Sequence, residues 1–329
     1  MARIAIISDT DIDQINGVVT TYNNTMRELR AAGHIVHMFD SMWGGKWFSL
    51  PSYKEVRIVL QPWKIKLILD SEMRWDAKIH IATEGPMGLF TRLYLNWKKY
   101  PFTTCYHTKF PEFIEKITKI PAKFFYPYFR WFHNKSKCVM VPTEGMKVFL
   151  ETKGFKNIKV WTRGVDPIVF YPENIVDMNY IVCVSRVSKE KNLDAFCQLD
   201  YPMKVLVGDG PYLEELKKKY PNVIYAGKCT GESLRRAYAG AKCFVFPSHE
   251  DTFGIVLLEA IACGTPVASY PGPGSFEVLE YSNGVISTNL QEAVNEAIKK
   301  DRNEVFKTSK KWTWKAATEN FLQNVLYSS

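Results

Sequence analysis

The chain has 329 residues, of which 46% are hydrophobic and 23% charged, a composition that excludes disordered and fibrous proteins. A chain of this length usually divides into two domains of about 150 residues, although length alone leaves a single large barrel open. The net charge of +9 comes entirely from residues 1–170, which hold 25 Lys and Arg against 15 Asp and Glu. This basic half could meet anionic lipid, nucleic acid or a polyanionic glycan, or it could simply be a well-solvated surface.

No stretch of about 18 consecutive apolar residues occurs, and the chain opens directly on an apolar run after Arg3. We therefore expect no transmembrane helix and a protein that stays in the compartment where it is made. The seven cysteines are scattered without CxxC or Cys/His ligand spacing. This pattern indicates reduced thiols, a cytoplasmic location and no structural zinc.

Short apolar runs alternate with longer amphipathic segments, as in parallel strands joined by helices. A helix is predicted over residues 19–32, ending at Gly33. Strands are predicted at residues 4–7, 35–39, 79–81, 102–106 and 139–141, and again at 180–184, 204–207, 223–225, 243–246 and 266–269. Because these runs lack polar alternation, we expect them to be buried on both faces. The pattern predicts an α/β protein with two doubly wound domains joined near residues 163–175.

A closing helix is predicted over residues 312–326. Trp314, Ala317, Phe321 and Val325 share one face of this helix. We expect that apolar face to pack against the rest of the protein.

A predicted strand, a polar loop with Asp251 and a helix beginning after Gly254 follow one another. Open parallel sheets bind ligands at such corners, because unpaired N–H groups at the helix start favour anions. Glu259 lies in an apolar run of this helix, where an unpaired charge is costly, so we interpret both acids as ligand-binding residues. The alternative is that Asp251 caps the helix and Glu259 lies on a solvated face.

This segment resembles the retaining glycosyltransferases of family 4, whose signature is an acidic residue, seven positions and a Glu around Phe-Gly, followed by Ala-x-Ala-x-Gly-x-Pro-Val. Asp251 stands where Glu is more common, and the Asp-Thr-Phe-Gly version is similar to that of glycolipid-forming and mannosyl-transferring members. The resemblance implies the GT-B fold, with two Rossmann-like domains facing across a cleft and a C-terminal helix that crosses back to the first. It also implies that the donor sugar and nucleoside are bound by Phe253, Gly254, Ile255, Val256 and Glu259.

Other segments along the chain resemble the same family. Residues 184–192 resemble its phosphate-binding segment, which implies that Arg186 and Lys191 hold the donor diphosphate; otherwise they solvate a helix start. Independently, fixed cations can stabilise the charge of a leaving diphosphate without a metal. Residues 9–19 resemble the loop that approaches the phosphates, which implicates Gly17. Residues 106–112 resemble a His-Thr segment, implying that His107 contacts the transferred sugar, although a lone histidine at a strand end is more often structural.

Asp11 and Asp13 imitate the metal-binding DxD of a different glycosyltransferase fold. They lie on the first loop of a doubly wound domain, so we expect no metal site there. No cofactor besides the nucleotide-sugar substrate is expected.

The resemblance implies three parts: an acceptor-side domain over residues 1–165, a nucleotide-sugar domain over 166–311 and a helix over 312–329 that packs on the first domain. The implied reaction is metal-independent, retaining transfer of a hexose from a UDP- or GDP-sugar to a hydroxyl of a lipid or glycan acceptor. His107, Asp251 and Glu259 would form its catalytic site.

Basic, aromatic-rich stretches at residues 43–48, 62–66 and 123–133 suit a membrane interface. Peripheral contact with an anionic membrane is therefore a hypothesis, with burial as the alternative for the third stretch. Two other enzyme classes remain open, a GT-B sugar-nucleotide epimerase and a phosphorylase, although no pyridoxal-binding lysine motif is visible. A nucleic-acid-binding protein would also use the basic half, but no helix-turn-helix, zinc finger or RNP segment occurs, so no nucleic acid partner is expected.

Overall fold

The computed structural model describes residues 1–14, 16–50, 53–173, 178–280 and 282–326. The chain forms two compact units. Unit 1 comprises Met1–Thr162 and Trp314–Ser329, and unit 2 comprises Arg163–Thr313. The chain thus passes between units at residues 162/163 and 313/314, where the sequence suggested 165/166 and 311/312.

Unit 1 is built on a six-stranded parallel sheet in the order β2-β1-β5-β6-β7-β8. The strands of the unit, including a separate hairpin, are β1 (Arg3–Ile7), β2 (Ile35–Phe39), β3 (Trp47–Leu50), β4 (Tyr53–Val59), β5 (Lys78–Ile81), β6 (Phe102–Cys105), β7 (Val139–Val141) and β8 (Ile158–Val160). Its helices up to the first crossing are α1 (Gly17–Ala31), α2 (Lys66–Arg74), α3 (Pro86–Trp97), α4 (Phe110–Thr118), α5 (Tyr126–His133) and α6 (Glu144–Thr152). All five strands predicted in the first half are present.

The antiparallel hairpin β3–β4 and the edge strand β8 are additions that the apolar runs did not predict. In β8 the side chains of Ile158 and Val160 are half-buried, and Lys159 between them is exposed. A strand of this kind keeps polar alternation, so a search for continuous apolar runs passes over it.

Unit 2 holds a second six-stranded parallel sheet in the order β11-β10-β9-β12-β13-β14. Its strands are β9 (Ile181–Val184), β10 (Lys204–Val207), β11 (Ile224–Gly227), β12 (Cys243–Phe246), β13 (Val267–Ser269) and β14 (Val285–Ile286). Its helices are α7 (Leu193–Cys197), α8 (Leu213–Lys219), α9 (Gly231–Ala239), α10 (Ile255–Ala262), α11 (Pro273–Leu279), α12 (Leu290–Ala297) and α13 (Arg302–Ser309). The strand order is that of the Rossmann fold. The short edge strand β14 was not predicted.

The last helix, α14 (Trp314–Leu326), belongs to unit 1. The four apolar residues that the sequence placed on one face of this helix are all buried. Phe321 packs on Trp161, with ring centroids 4.7 Å apart, and the indole N–H of Trp161 donates to the Ala317 carbonyl at 3.1 Å. The predicted packing of the tail helix is therefore confirmed, and its partner is the core of unit 1.

Among the described residues, no helix is both long and apolar enough to span a membrane.

Candidate functional site

The strand order of unit 2 reverses between β9 and β12, and ligands of doubly wound sheets bind beyond the carboxyl ends of the strands at such a switch point. The segment after β9 carries Arg186 and Lys191, and the loop after β12 carries Asp251 and Gly254. Four of the residues singled out in the sequence therefore lie on the two loops that flank the switch point of unit 2.

Lys191 and Asp251 join these two loops directly. The Lys191 Nζ lies 2.5 Å from the Asp251 Oδ1, and the two side chains are 23% and 22% exposed. Beside them, the Asn192 side-chain amide donates to the Pro247 carbonyl at 3.2 Å. The Asp251 carboxylate is thus the counterion of Lys191. It does not cap α10, whose N-cap residue is Gly254.

The turn into α10 depends on Gly254, which has a φ of +83°. An L side chain rarely adopts this conformation, and a Cβ there would also lie 3.0 Å from the Phe246 ring. Gly274, at the start of α11, packs against the same loop. A Cβ on Gly274 would stand only 1.9 Å from the Phe253 carbonyl oxygen, and its N–H donates to the Asp251 carbonyl at 3.2 Å.

Glu259 lies in the second turn of α10, as predicted, and its side chain is partly buried. Its Oε2 accepts a hydrogen bond from the Tyr238 hydroxyl at 2.9 Å. Burial raises the pKa of Glu259 to about 7, against the opposing effect of that hydrogen bond. Burial also raises the pKa of Tyr238 well above its ordinary value, so it remains a neutral donor. This environment is not the solvated helix face of the alternative interpretation.

The segment that carries Arg186 is held by the turn after β10. The Val187 N–H donates to the Asp209 carbonyl at 2.9 Å, and the Tyr212 N–H donates to the Val187 carbonyl at 3.0 Å. The turn at residues 208–211 therefore braces the backbone beside Arg186. The Arg186 side chain is itself half-buried.

In unit 1 the corresponding switch point lies between β1 and β5, and the loop after β1 leads to Gly17, the first residue of α1. Asp9 on this loop accepts from the Met87 N–H at 2.7 Å, the Gly88 N–H at 3.2 Å and the Thr83 hydroxyl at 2.9 Å. Burial raises the pKa of Asp9 to about 6 despite these bonds. The carboxylate fastens the β1 loop to the start of α3.

Asp11, from the DxD-like pair on the same loop, forms an ion pair with Arg57 of the hairpin, with an Nη2–Oδ2 distance of 2.5 Å. Arg57 in turn lies over the Trp47 ring, 3.9 Å from its centroid. The carboxylate of Asp11 thus anchors the hairpin to the loop.

His107 follows β6 and is half-buried. Its Nε2 lies 3.0 Å from the Tyr22 hydroxyl oxygen. The predicted site residues therefore form two groups, with Gly17 and His107 in unit 1 and the others in unit 2. Sequence reasoning missed Tyr22 and Tyr238, which hold His107 and Glu259.

Several solved structures share the fold of this chain. The sucrose-phosphate synthase of Thermosynechococcus elongatus superposes with a TM-score of 0.77 at 18% identity, covering 98% of both chains. The Anabaena protein Alr3699/HepE, crystallised with UDP and glucose, superposes with a TM-score of 0.73 at 15% identity, covering 98% of this chain and 99% of the other. The fold is therefore GT-B, as the sequence resemblance implied.

Two family models together match nearly the whole chain. The model "Glycosyltransferase Family 4" matches residues 15–168, and "Glycosyl transferases group 1" matches residues 170–316. The chain belongs to glycosyltransferase family 4.

Its sequence relatives include enzymes of glycolipid and mannoside synthesis. The sulfoquinovosyl transferase of Arabidopsis thaliana is 26% identical over 80% of this chain, which spans 54% of that protein. The alpha-monoglucosyldiacylglycerol synthase of Streptococcus pneumoniae is 26% identical over 88% of this chain and 74% of its own length. A GDP-mannose-dependent alpha-mannosyltransferase of Corynebacterium glutamicum is 25% identical over 86% of this chain and 76% of its own length.

Proposed function

We propose that the protein transfers a hexose from a UDP- or GDP-sugar to a hydroxyl of a lipid or glycan acceptor, with retention of configuration and without a metal ion. The observation that carries the proposal is the pairing of Lys191 with Asp251 at the switch point of unit 2. It brings a cation for the diphosphate and a carboxylate for sugar hydroxyls to the same place, on loops from two different strands. The names of the relatives support a nucleotide-sugar donor.

Lys191 and Arg186 would bind the donor diphosphate. As the bond to the sugar breaks, negative charge accumulates on the leaving nucleoside diphosphate, and cations already in place stabilise that charge without reorganisation. Asp251 holds Lys191 in position before the donor binds, which lowers the entropy lost on binding. Because the protein supplies these charges itself, the reaction needs no metal.

Glu259 would accept hydrogen bonds from hydroxyls of the donor sugar and its ribose, together with the backbone and side chains of residues 253–256. An ionised carboxylate is a stronger acceptor than a neutral one. Burial raises the pKa of Glu259 to about 7, and hydrogen bonds from donor hydroxyls would favour its ionised form. His107 would contact the transferred sugar, as the family resemblance implies.

Retention follows if the acceptor hydroxyl attacks C1 on the face from which the diphosphate departs. The C1–O bond to phosphate breaks, the bond to the acceptor oxygen forms, and a phosphate oxygen takes the acceptor proton. This route needs no nucleophilic carboxylate, whereas a retaining glycosidase uses two carboxyl groups about 5–5.5 Å apart. Exclusion of water would protect the donor from hydrolysis.

A lipid acceptor is supported by the surface of unit 1. Trp63 and Leu67, beside the start of α2, are 55% and 77% exposed, and Trp97 at the end of α3 is 69% exposed. Lys66 and Lys98 both lie 5.7 Å from the centroid of the Tyr94 ring, which connects the two helices. We call Trp63, Lys64, Lys66, Leu67, Trp97 and Lys98 the aromatic-basic surface. Indole rings and lysines of this kind suit the interface of an anionic membrane, and we propose that the protein makes peripheral contact there.

Residues 123–133, the third basic and aromatic stretch, are partly buried in unit 1 and partly exposed. Tyr126, Phe129 and Phe132 are buried in unit 1, whereas Phe124 and Trp131 are 64% and 45% exposed. Burial therefore accounts for one face of α5, and the other face remains open to solvent.

The reaction is tested with a panel of UDP- and GDP-sugars, first by thermal shift and then by release of nucleoside diphosphate with lipid and glycan acceptors. We expect one donor to stabilise the protein and to be consumed only when an acceptor is present, with the product keeping the anomeric configuration of the donor. No stabilisation and no turnover with any donor would refute the proposal. Turnover of the nucleotide sugar without any acceptor would favour an epimerase.

Membrane contact is tested by sedimentation with vesicles of phosphatidylcholine alone or mixed with phosphatidylglycerol. We expect binding to the anionic vesicles that weakens with salt and is lost in the double variant Trp63→Ser, Trp97→Ser. Phe276→Ser in unit 2, where the side chain is 54% exposed, is the matched control. Equal binding by the double variant and the control would rule out the aromatic-basic surface.

A further inference from the structure

A chain of polar side chains leads from His107 into the core of unit 1. The His107 Nε2 lies 3.0 Å from the Tyr22 hydroxyl oxygen, which is also 2.8 Å from the His80 Nε2. The His80 Nδ1 is in turn 2.8 Å from the Thr103 hydroxyl oxygen. These residues come from α1, β5, β6 and the segment after β6, so the chain forms only when the sheet is assembled.

Three of the four members are buried. Tyr22 and His80 are 0% exposed and Thr103 is 3% exposed, whereas His107 is partly open. Burial of polar groups is unfavourable unless they are hydrogen-bonded, and apolar side chains of similar size would fill the same space without that requirement. His80 even stands between Ile79 and Ile81 on a buried strand. The polar chain therefore points to a role at its open end.

Aromatic rings enclose the chain. Trp161 packs against Tyr22 with ring centroids 5.6 Å apart and against His107 at 6.2 Å. Phe321 of α14 lies 5.1 Å from the His80 ring. The tail helix thus covers His80, and these ring contacts limit the orientations open to the rings of the chain.

The hydrogen bonds of the chain are interdependent. The Tyr22 hydroxyl has one proton and faces a ring nitrogen of each of two histidines, so it can donate to no more than one of them. If Tyr22 donates to His107, then His80 donates to Tyr22 through Nε2 and accepts from Thr103 at Nδ1. The reverse order is equally consistent. In either order, the tautomer of His107 is coupled to that of His80.

We propose that Tyr22 is a positioning residue that fixes the ring orientation of His107 and, through His80 and Thr103, its tautomer. The inference rests on the proposed function, in which His107 contacts the transferred sugar. Partners behind a functional histidine commonly set its orientation and tautomer. The catalytic contact remains that of His107, and Tyr22 acts through it.

The first test is a double-mutant cycle in the full-length enzyme. Tyr22→Phe keeps the ring and removes the hydroxyl, and we expect kcat to fall about 10- to 100-fold, because a small misplacement of a reacting group has effects of this size. In a His107→Ala background the same substitution should have no further effect on kcat. Thr103→Val should lower kcat in the same direction but less. Tyr100→Phe, which removes one hydrogen bond to the Ala77 carbonyl, is the matched control with unchanged kcat.

The second test does not depend on activity. The chain has six histidines, so imidazole signals of the ¹⁵N-labelled protein can be resolved, and Tyr22→Phe should shift the tautomer signals of His107 and His80 while those of His249 in unit 2 stay in place. Loss of kcat that is equally large in the His107→Ala background, or unchanged His107 signals, would overturn the inference. An active enzyme with either of these results would leave the proposed function standing, whereas absence of any nucleotide-sugar turnover in the unaltered protein would refute that function itself.

Discussion

Replacement of Glu259 by glutamine should raise stability and abolish activity at the same time. The pKa of Glu259 is about 7 in the folded protein, against an ordinary value of 4.5, because burial disfavours the charged form. Below about pH 4.5 the carboxyl is protonated in both the folded and the unfolded chain, and its ionisation has no effect on stability. Between pH 4.5 and 7 the unfolded chain releases the proton first, so stability falls as pH rises.

The difference between the two pKa values corresponds to roughly 3 kcal/mol of lost stability above pH 7. Glutamine does not ionise, and its amide oxygen can still accept the hydrogen bond of Tyr238. Glu259→Gln and the unaltered protein should therefore unfold alike near pH 4.5, and the variant should be more stable by up to about 3 kcal/mol at pH 8. Nucleoside-diphosphate release should nevertheless be abolished at both pH values, as is typical of a residue retained for function.

Urea unfolding of unit 2 at a series of pH values measures the stability difference, and nucleoside-diphosphate release measures the activity. Glu296→Gln on α12, whose side chain is 59% exposed, is the control and should show neither effect. A stability difference that does not change between pH 4.5 and 8 would show that the carboxyl ionises normally. Near-normal turnover by Glu259→Gln would remove Glu259 from the site.

Three further outcomes are expected. Lys191→Met should lower kcat about 10²- to 10³-fold in steady-state assays, because the fixed cation that stabilises the leaving diphosphate is lost. The control Lys189→Met, at a side chain 71% exposed, should have little effect, and equal activities of the two variants would exclude Lys191 from diphosphate binding. Gly274→Ala should destabilise the protein by about 1–3 kcal/mol in urea unfolding and weaken donor binding, because the added Cβ would collide with the Phe253 carbonyl oxygen. The control Gly145→Ala has open space around its Cβ and should have neither effect, and equal stability of the two variants would show that the loop adapts. Activity should persist after treatment with EDTA, and a loss restored by Mg²⁺ or Mn²⁺ would refute metal independence.

Much of the fold and part of the site could be predicted from local sequence patterns. Most of the ten predicted strands are buried apolar runs, because a strand covered on both faces must be apolar along its length. The expected burial on both faces is wrong for β11, an edge strand in which Ile224 is 49% exposed. The short edge strands β8 and β14 were missed because their side chains are partly solvated, and in the hairpin Trp47 and Phe48 of β3 are exposed, so the apolar signal is weak. The exposed aromatic residues of the hairpin, such as Trp47 and Phe48, were visible in the sequence only as a basic, aromatic stretch.

The corner around Asp251, Gly254 and Glu259 was also determined locally, since a strand, a loop and a helix in succession define it. Tertiary structure alone decided what these side chains contact. Lys191 and Asp251 are 60 residues apart in sequence, and His107 and Tyr22 are 85 apart. Lys191 meets Asp251 because β9 and β12 are neighbours in the sheet of unit 2. Tyr22 meets His107 because α1 packs beside β5 and the segment after β6. Local patterns specify which segments become strands. Which strands become neighbours depends on the long-range packing of whole elements, and that packing also decides the partners, the burial and the pKa values of the site residues.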